Sequence, residues 1–198
     1  MLALRKGENG MSKARDIVVL VGSLRRESYN RKAAKALIAM APEGWSFEIV
    51  EIGSLPFYSE DVEASGAPSA WTTFRERVRR ADGVLFFTPE YNRSVPGVLK
   101  NAIDVASRPH GHSAWERKPA GVVSVSPGAI GGFGANHHLR QSLVFLDMPV
   151  LQQPEAYIGG AGKLFDDSGK LINDATHEFL GKYLKAYLSW VEKIAPAK

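Results

Sequence analysis

Nine consecutive residues, Gly22-Ser23-Leu24-Arg25-Arg26-Glu27-Ser28-Tyr29-Asn30, bring together hydroxyls at Ser23 and Ser28, an amide at Asn30 and a guanidinium at Arg25. A buried run precedes them and a helical pattern follows, so free backbone N–H groups are expected at the same place. Several donors and positive potential at one point are what a phosphate requires. The competing reading is an ordinary loop in which Asn30 caps the helix. Arg25 has no place in that reading. The Gly-Lys-Ser/Thr ending of a nucleotide-triphosphate loop is absent.

A second stretch, Thr88-Pro89-Glu90-Tyr91-Asn92-Arg93-Ser94-Val95-Pro96-Gly97, sets polar and aromatic residues between two stiffening prolines. Rigid backbone with free N–H and C=O groups can read the edge of a flat heterocycle, and Tyr91 can cover an apolar ring. The alternative is a rigid turn with no ligand. A third stretch, Ser124-Val125-Ser126-Pro127-Gly128-Ala129-Ile130-Gly131-Gly132-Phe133-Gly134, is rich in glycine, which lets backbone approach a ligand closely. Its glycine spacing is not that of the dinucleotide fingerprint. Charge-assisted hydrogen bonds contribute about 1.5–3 kcal/mol each. Micromolar affinity needs about 8 kcal/mol after the cost of immobilisation. A phosphate loop alone falls short, so the rest of the ligand must bury area on the other two loops. A monophosphate joined to a large flat ring fits that demand, and FMN has that shape.

The elements between these loops follow from periodicity. Ile17–Val21, Val84–Phe87 and Gly121–Val125 are continuous apolar runs of strand length, as in parallel sheets covered on both faces. Phe47–Ile52 alternates and reads as an edge strand, and Val150-Leu151 as a short fifth strand. Helical spacing recurs over 33–41, 98–106, around 137–146 and over 179–191. Residues 70–81 read as a charged, exposed helix, and 53–69 and 108–118 as loops. His137 and His138 are expected on different helix faces, one buried and one exposed.

Strand and helix alternate throughout, which predicts an α/β three-layer sandwich with a five-stranded parallel sheet of order 2-1-3-4-5. In such a sheet the ligand crevice lies beyond the carboxyl ends of the strands, at the switch point between the first and third. All three loops leave strands on that side. Residues 1–15 read as a flexible arm, with Met11 as an alternative start, and 16–198 as a single domain.

Composition removes other classes. There are 198 residues and no cysteine, which excludes disulfides, thiolate metal sites and cysteine nucleophiles, so any redox chemistry belongs to a bound cofactor. No apolar run spans a bilayer. Arg5, Lys6 and Glu8 end the opening apolar residues too early for a secretory signal, so the cytoplasm is the expected compartment. Net charge is +4, from 25 basic and 21 acidic residues. That suits an anionic ligand, and no nucleic-acid-binding motif accompanies it. His110 and His112 have a metal-ligand spacing but no third ligand, so no metal is expected. Trp45, Trp71, Trp115 and Trp190 read as packing anchors.

GSLRRESYNR, PEYNRSVPGVLKNAIDVASR, and KPAGVVSVSPGAIGG followed by HHLRQSLVFLDMPVLQQPE together resemble the NADPH-dependent FMN reductase family of flavodoxin-like fold. The resemblance covers residues 16–192 and is strongest with the chromate- and quinone-reducing branch, which includes azo-dye reducers. It implies that Ser23, Leu24, Arg25, Ser28, Tyr29 and Asn30 hold the FMN phosphate end. It implies that Pro89, Glu90, Tyr91 and Asn92 line the isoalloxazine, and that Val125, Ser126 and Gly128 approach from the third loop. It implies ping-pong hydride transfer from NADPH or NADH through flavin N5 to a small-molecule acceptor such as a quinone, chromate, an azo compound or free flavin. No catalytic side chain is required, and a homodimer or homotetramer is expected. Where that branch carries an arginine and a tyrosine before HLRQ, this chain has Gly134 and His137. Arg93 could favour an anionic acceptor or the NADPH phosphate, or be a solvated loop charge. The alternative from another class is a non-catalytic electron carrier of flavodoxin type.

Overall fold

Buried, mostly apolar runs build the centre of the sheet. The computed structural model describes residues 14–197. In chain order the elements are β1 (Arg15–Val21), α1 (Tyr29–Ile38), β2 (Trp45–Val50), α2 (Glu60–Gly66), α3 (Ser69–Arg80), β3 (Gly83–Thr88), α4 (Gly97–Ala106), β4 (Ala120–Val125), α5 (Phe133–Phe145), β5 (Ala156–Ile158) and α6 (Asp174–Ile194). The strands form one five-stranded sheet of order β2-β1-β3-β4-β5, and every neighbouring pair is parallel. This is the predicted topology.

Alternate residues of each central strand serve opposite layers. Ile17, Val19, Leu85, Phe87 and Val123 pack with Leu37, Tyr183 and Tyr187 beneath α1 and α6. Val18, Leu20, Val84, Phe86 and Val122 pack with Trp71, Trp115 and Leu139 beneath α3, α4 and α5. Burial on both faces explains why β1, β3 and β4 read as continuous apolar runs, whereas β2, with one neighbour, alternates. Trp71 and Trp115 are fully buried, and Trp45 and Trp190 half-buried. Among the described residues, no helix is long and apolar enough to cross a membrane, and no group of three or more His, Cys, Asp or Glu residues is placed to hold a metal.

Several expectations are corrected. Arg15, assigned to the arm, belongs to β1 and is buried; the predicted arm otherwise lies outside the described residues, apart from Ala14. The fifth strand is Ala156–Ile158, not Val150-Leu151. Val150 makes only an isolated bridge to Ala120, at the start of β4, and pairing resumes opposite Val123–Val125 after Gln152-Gln153-Pro154. α5 begins at Phe133, inside the stretch read as a glycine-rich turn. His137 and His138 are both exposed. α3 is exposed on one face only: Trp71, Phe74, Arg75 and Val78 are buried.

The presumed loop 53–69 contains α2, which buries none of its own residues. Its acidic first turn suits the helix dipole, and Glu63 holds it to α3. Arg75 donates to both Glu63 oxygens and, through Nε, to Val105 O at 2.8 Å. The hydrogen bond from Arg75 is the main reason that Glu63 titrates below the usual glutamate range, with burial opposing it. A lowered folded-state value stabilises above the unfolded value of about 4.3 and is lost as pH falls through the folded one. Glu63→Ala should cost about 2 kcal/mol near neutral pH, a fall of roughly 4–8 °C in melting temperature. Melting curves should show the deficit shrinking as the buffer is acidified below about pH 4.

Candidate functional site

The three loops converge at the carboxyl ends of β1, β3 and β4. Gly22 N donates to Phe87 O at 2.8 Å, which joins the first loop to β3 at the switch point. Leu99 and Pro89 crowd the place a Gly22 Cβ would occupy. Ser28, not Asn30, caps α1: its Oγ accepts from Arg31 N at 3.2 Å. Asn30 instead lies in the first turn, buried, and its Nδ2 donates to Val125 O at 3.0 Å. That bond ties the first loop to the end of β4. It also fixes the amide orientation, because only the nitrogen can donate to a carbonyl. Asn30 Oδ1 is left buried without a partner. Among the described residues, no carbonyl or side chain accepts from a backbone N–H between Ser23 and Asn30. Ser23 is buried, and Arg25 is exposed with its guanidinium 5.7 Å from the Tyr29 ring. Tyr29 is backed by Phe165 at 6.2 Å. Leu24 is exposed, its side chain lying over Gly53.

The second loop is a tight hairpin. Tyr91 and Ser94 exchange two backbone hydrogen bonds of 3.0 Å. Asn92 and Arg93 between them have φ of 50° and 65°. Two left-handed residues in a row make the turn that glycine and asparagine favour, so Arg93 holds a conformation costing about 1 kcal/mol. Tyr91 is half exposed at the tip, and Pro89 sits against the first loop beside Gly22. The Glu90 carboxylate accepts from Ala135 N at 3.1 Å, at the start of α5.

The third loop is pinned by backbone. Ser126 N donates to Ile158 O at 2.9 Å and Ala161 N to Ser126 O at 3.2 Å. Ser126 Oγ accepts from Gly128 N at 3.2 Å. Gly131 has φ of 61°, and a Cβ there would lie 2.6 Å from the Tyr157 carbonyl carbon. Val125 is buried and Gly128 exposed. Beneath the loop lies a buried polar chain that periodicity missed. Asn136 Nδ2 donates to Ser124 Oγ and to Ala156 O, and Arg140 Nε donates to Asn136 Oδ1 at 2.9 Å. A polar residue on the buried face of α5 was its only trace in the sequence. At the outer rim, Tyr157 OH and His137 Nε2 are 2.9 Å apart, with Phe133 packed on both rings. Burial, reinforced by a hydrogen bond with Glu155, pushes the Tyr157 hydroxyl up to about 12, so it stays protonated at neutral pH.

The family model described as NADPH-dependent FMN reductase matches residues 15–163. The chain belongs to that family. It is 66% identical over 182 residues to a quinone reductase of Pseudomonas putida, across 92% of this chain and 97% of that one. It is 46% identical over 181 residues to an NAD(P)H-dependent FMN reductase of Pseudomonas aeruginosa, across 90% and 97%. A solved flavoenzyme NAD(P)H:(acceptor) oxidoreductase from Paracoccus denitrificans superposes with a TM-score of 0.86 at 38% identity, covering 92% of this chain and all of that one. This FMN reductase family member is therefore an oxidoreductase that uses FMN and NAD(P)H, not a flavodoxin-type carrier.

The residues present fit FMN on chemical grounds. Unpaired N–H groups and Arg25 suit a phosphate, which offers only acceptors near neutral pH. The orphaned Asn30 Oδ1 needs a donor, and ribityl hydroxyls supply one. The cation–π pair of Arg25 with Tyr29, itself backed by Phe165, stiffens the charged end of the cradle.

Proposed function

We propose that this protein reduces quinones by two electrons at the expense of NADH or NADPH. The quinone reductase at 66% identity supports the choice of acceptor. The observation that carries the site is the meeting of unpaired donors on the first loop with the buried acceptor of Asn30, walled by the second and third loops.

In this reading the N–H groups from Ser23 onward, the hydroxyls of Ser23 and Ser28, and Arg25 bind the FMN phosphate. Leu24 and Tyr29 shape the sides of that cradle. Asn30 accepts from a ribityl hydroxyl rather than touching the phosphate. Pro89, Tyr91, Asn92 and the backbone at Glu90 form one wall for the ring, and Val125, Ser126 and Gly128 the other. When bound, FMN supplies the hydride and two-electron chemistry. The chain binds, orients and covers, and no side chain is required as acid or base. Arg93, exposed at the mouth, draws anionic acceptors or the NADPH phosphate.

Phe133, Val144 and Phe145, exposed along α5 with Phe145 at 87%, support assembly into a homodimer or homotetramer. A cytoplasmic location matches the supply of NAD(P)H.

The test is anaerobic. Purified protein should carry a flavin spectrum, bleach on addition of NADPH or NADH, and regain its colour when 1,4-benzoquinone is added, with equal amounts of nicotinamide and quinone consumed. Bleaching that quinone does not reverse would overturn the choice of acceptor. Failure of both nicotinamides to bleach the flavin would overturn the donor.

A further inference from the structure

Glu90 and Gly134 meet where the second loop touches the third. The Glu90 side chain is 13% exposed. One oxygen accepts from Ala135 N at 3.1 Å, and the other lies 3.4 Å from Arg93 Nη1. The arginine is largely exposed, so that ion pair contributes little. The helix contact is different in kind. The N-cap of α5 is Gly132, which has no side chain to cap with, and its first turn carries no acidic residue. A helix start leaves N–H groups without intrahelical partners and favours negative charge. Glu90 provides both the acceptor and the charge from outside the helix.

Two further contacts define this junction. His138 Nδ1 and Ser94 Oγ are 3.1 Å apart, a second strut between the hairpin and α5. A Cβ on Gly134 would lie 2.9 Å from Glu90 Oε2 and 2.9 Å from Arg93 O, so the approach exists only because position 134 has no side chain. Meanwhile Asn92 and Arg93 hold left-handed conformations, which persist only where the surroundings over-determine them.

We propose that Glu90 is a positioning residue: by capping α5 from the second loop it clamps that loop to the third and sets the spacing of the walls that receive the flavin ring. The proposal rests on the FMN reading for its consequence, though not for its geometry.

The experiment compares the native protein with Glu90→Ala, Glu90→Gln, Gly134→Ala and the Glu90→Ala/Gly134→Ala double variant. FMN affinity is read by fluorescence quenching, the ring environment by the visible spectrum of bound FMN, and the clamp itself by hydrogen exchange at the Ala135 amide in flavin-free protein. Glu90→Ala should speed Ala135 exchange, weaken FMN about tenfold and shift the visible band. Glu90→Gln, whose amide oxygen still accepts from Ala135 N, should recover affinity to within about twofold. Gly134→Ala should reproduce the loss, and the double variant should be no weaker than either single one, because the clamp can be broken only once. Native affinity and spectrum in Glu90→Ala, no recovery in Glu90→Gln, or losses that multiply would each overturn the clamp. If Glu90→Ala does not fold, Gly134→Ala and Glu90→Gln decide alone. If the native protein binds no FMN, the cofactor reading fails, and unchanged Ala135 exchange in the variants would separately refute the clamp.

Discussion

Arg25→Ala weakens FMN binding by about tenfold at low salt and leaves riboflavin binding unchanged within about twofold. Hydrogen bonds to charged groups contribute roughly 1.5–3 kcal/mol, and 1.4 kcal/mol is a factor of ten. Arg25 is exposed, so solvent and salt screen it and the lower end of that range applies. Riboflavin lacks the phosphate but keeps the ribityl chain and ring, so only the phosphate contact distinguishes the two ligands. Paired quenching titrations at two ionic strengths measure the effect. The gap between ligands should narrow as salt rises. Equal losses for FMN and riboflavin would mean that Arg25 acts through the shape of the loop, and no loss for either would place the phosphate elsewhere. Ser28→Ala is a less clean probe, because its Oγ also caps α1, at a cost of about 1 kcal/mol.

Gly131→Ala should be the most damaging small substitution in the third loop. The residue has φ of 61°, and its added Cβ would fall 2.6 Å from the Tyr157 carbonyl carbon and 2.8 Å from Ile158 N. Both atoms belong to β5 backbone, which is hydrogen-bonded to β4 and cannot swing aside as a flexible side chain would. A left-handed non-glycine residue costs about 1–2 kcal/mol and an overpacked contact about 1–3 kcal/mol. The sum, roughly 3 kcal/mol, corresponds to a melting temperature about 6–12 °C lower. Scanning calorimetry of the flavin-free protein checks this without reference to activity. Gly128→Ala is the control, since a Cβ there would meet only Ser126 Oγ at 3.5 Å. A Gly131→Ala protein that melts within a degree or two of the control would show that the loop can relax away from β5.

The central strands were legible because each needs only local information. Ile17–Val21 and Val84–Phe87 are apolar at every position, and in this sheet both faces are covered. The site loops were legible for a related reason: they are the polar and glycine-rich segments that end those runs, and strand order places them at one pole. Asn30 shows the limit. Its type and place in the first turn were compatible with a cap or a ligand role, and only its bond to Val125 O shows that its donor is spent and its acceptor free. The fifth strand was misplaced because two short apolar segments, Val150-Leu151 and Ala156–Ile158, compete for the same edge of β4. Which of them pairs over its length depends on how the intervening chain turns, not on hydropathy.

Amino-acid order alone determined the alternation of strand and helix, hence a parallel sheet, hence the meeting of the three polar and glycine-rich loops beyond the strand ends. Those conclusions need only the periods of side-chain burial and the handedness of crossovers, which act over a few residues at a time. Tertiary structure supplied the acceptor for Ala135 N in the first turn of α5, because it comes from Glu90, forty-five residues earlier in the chain. It also decided that α2 exists as a helix held to Arg75 through Glu63. Each is a contact between residues distant in sequence, whose energy is gained only after the chain has folded back on itself, so no local pattern carries its trace.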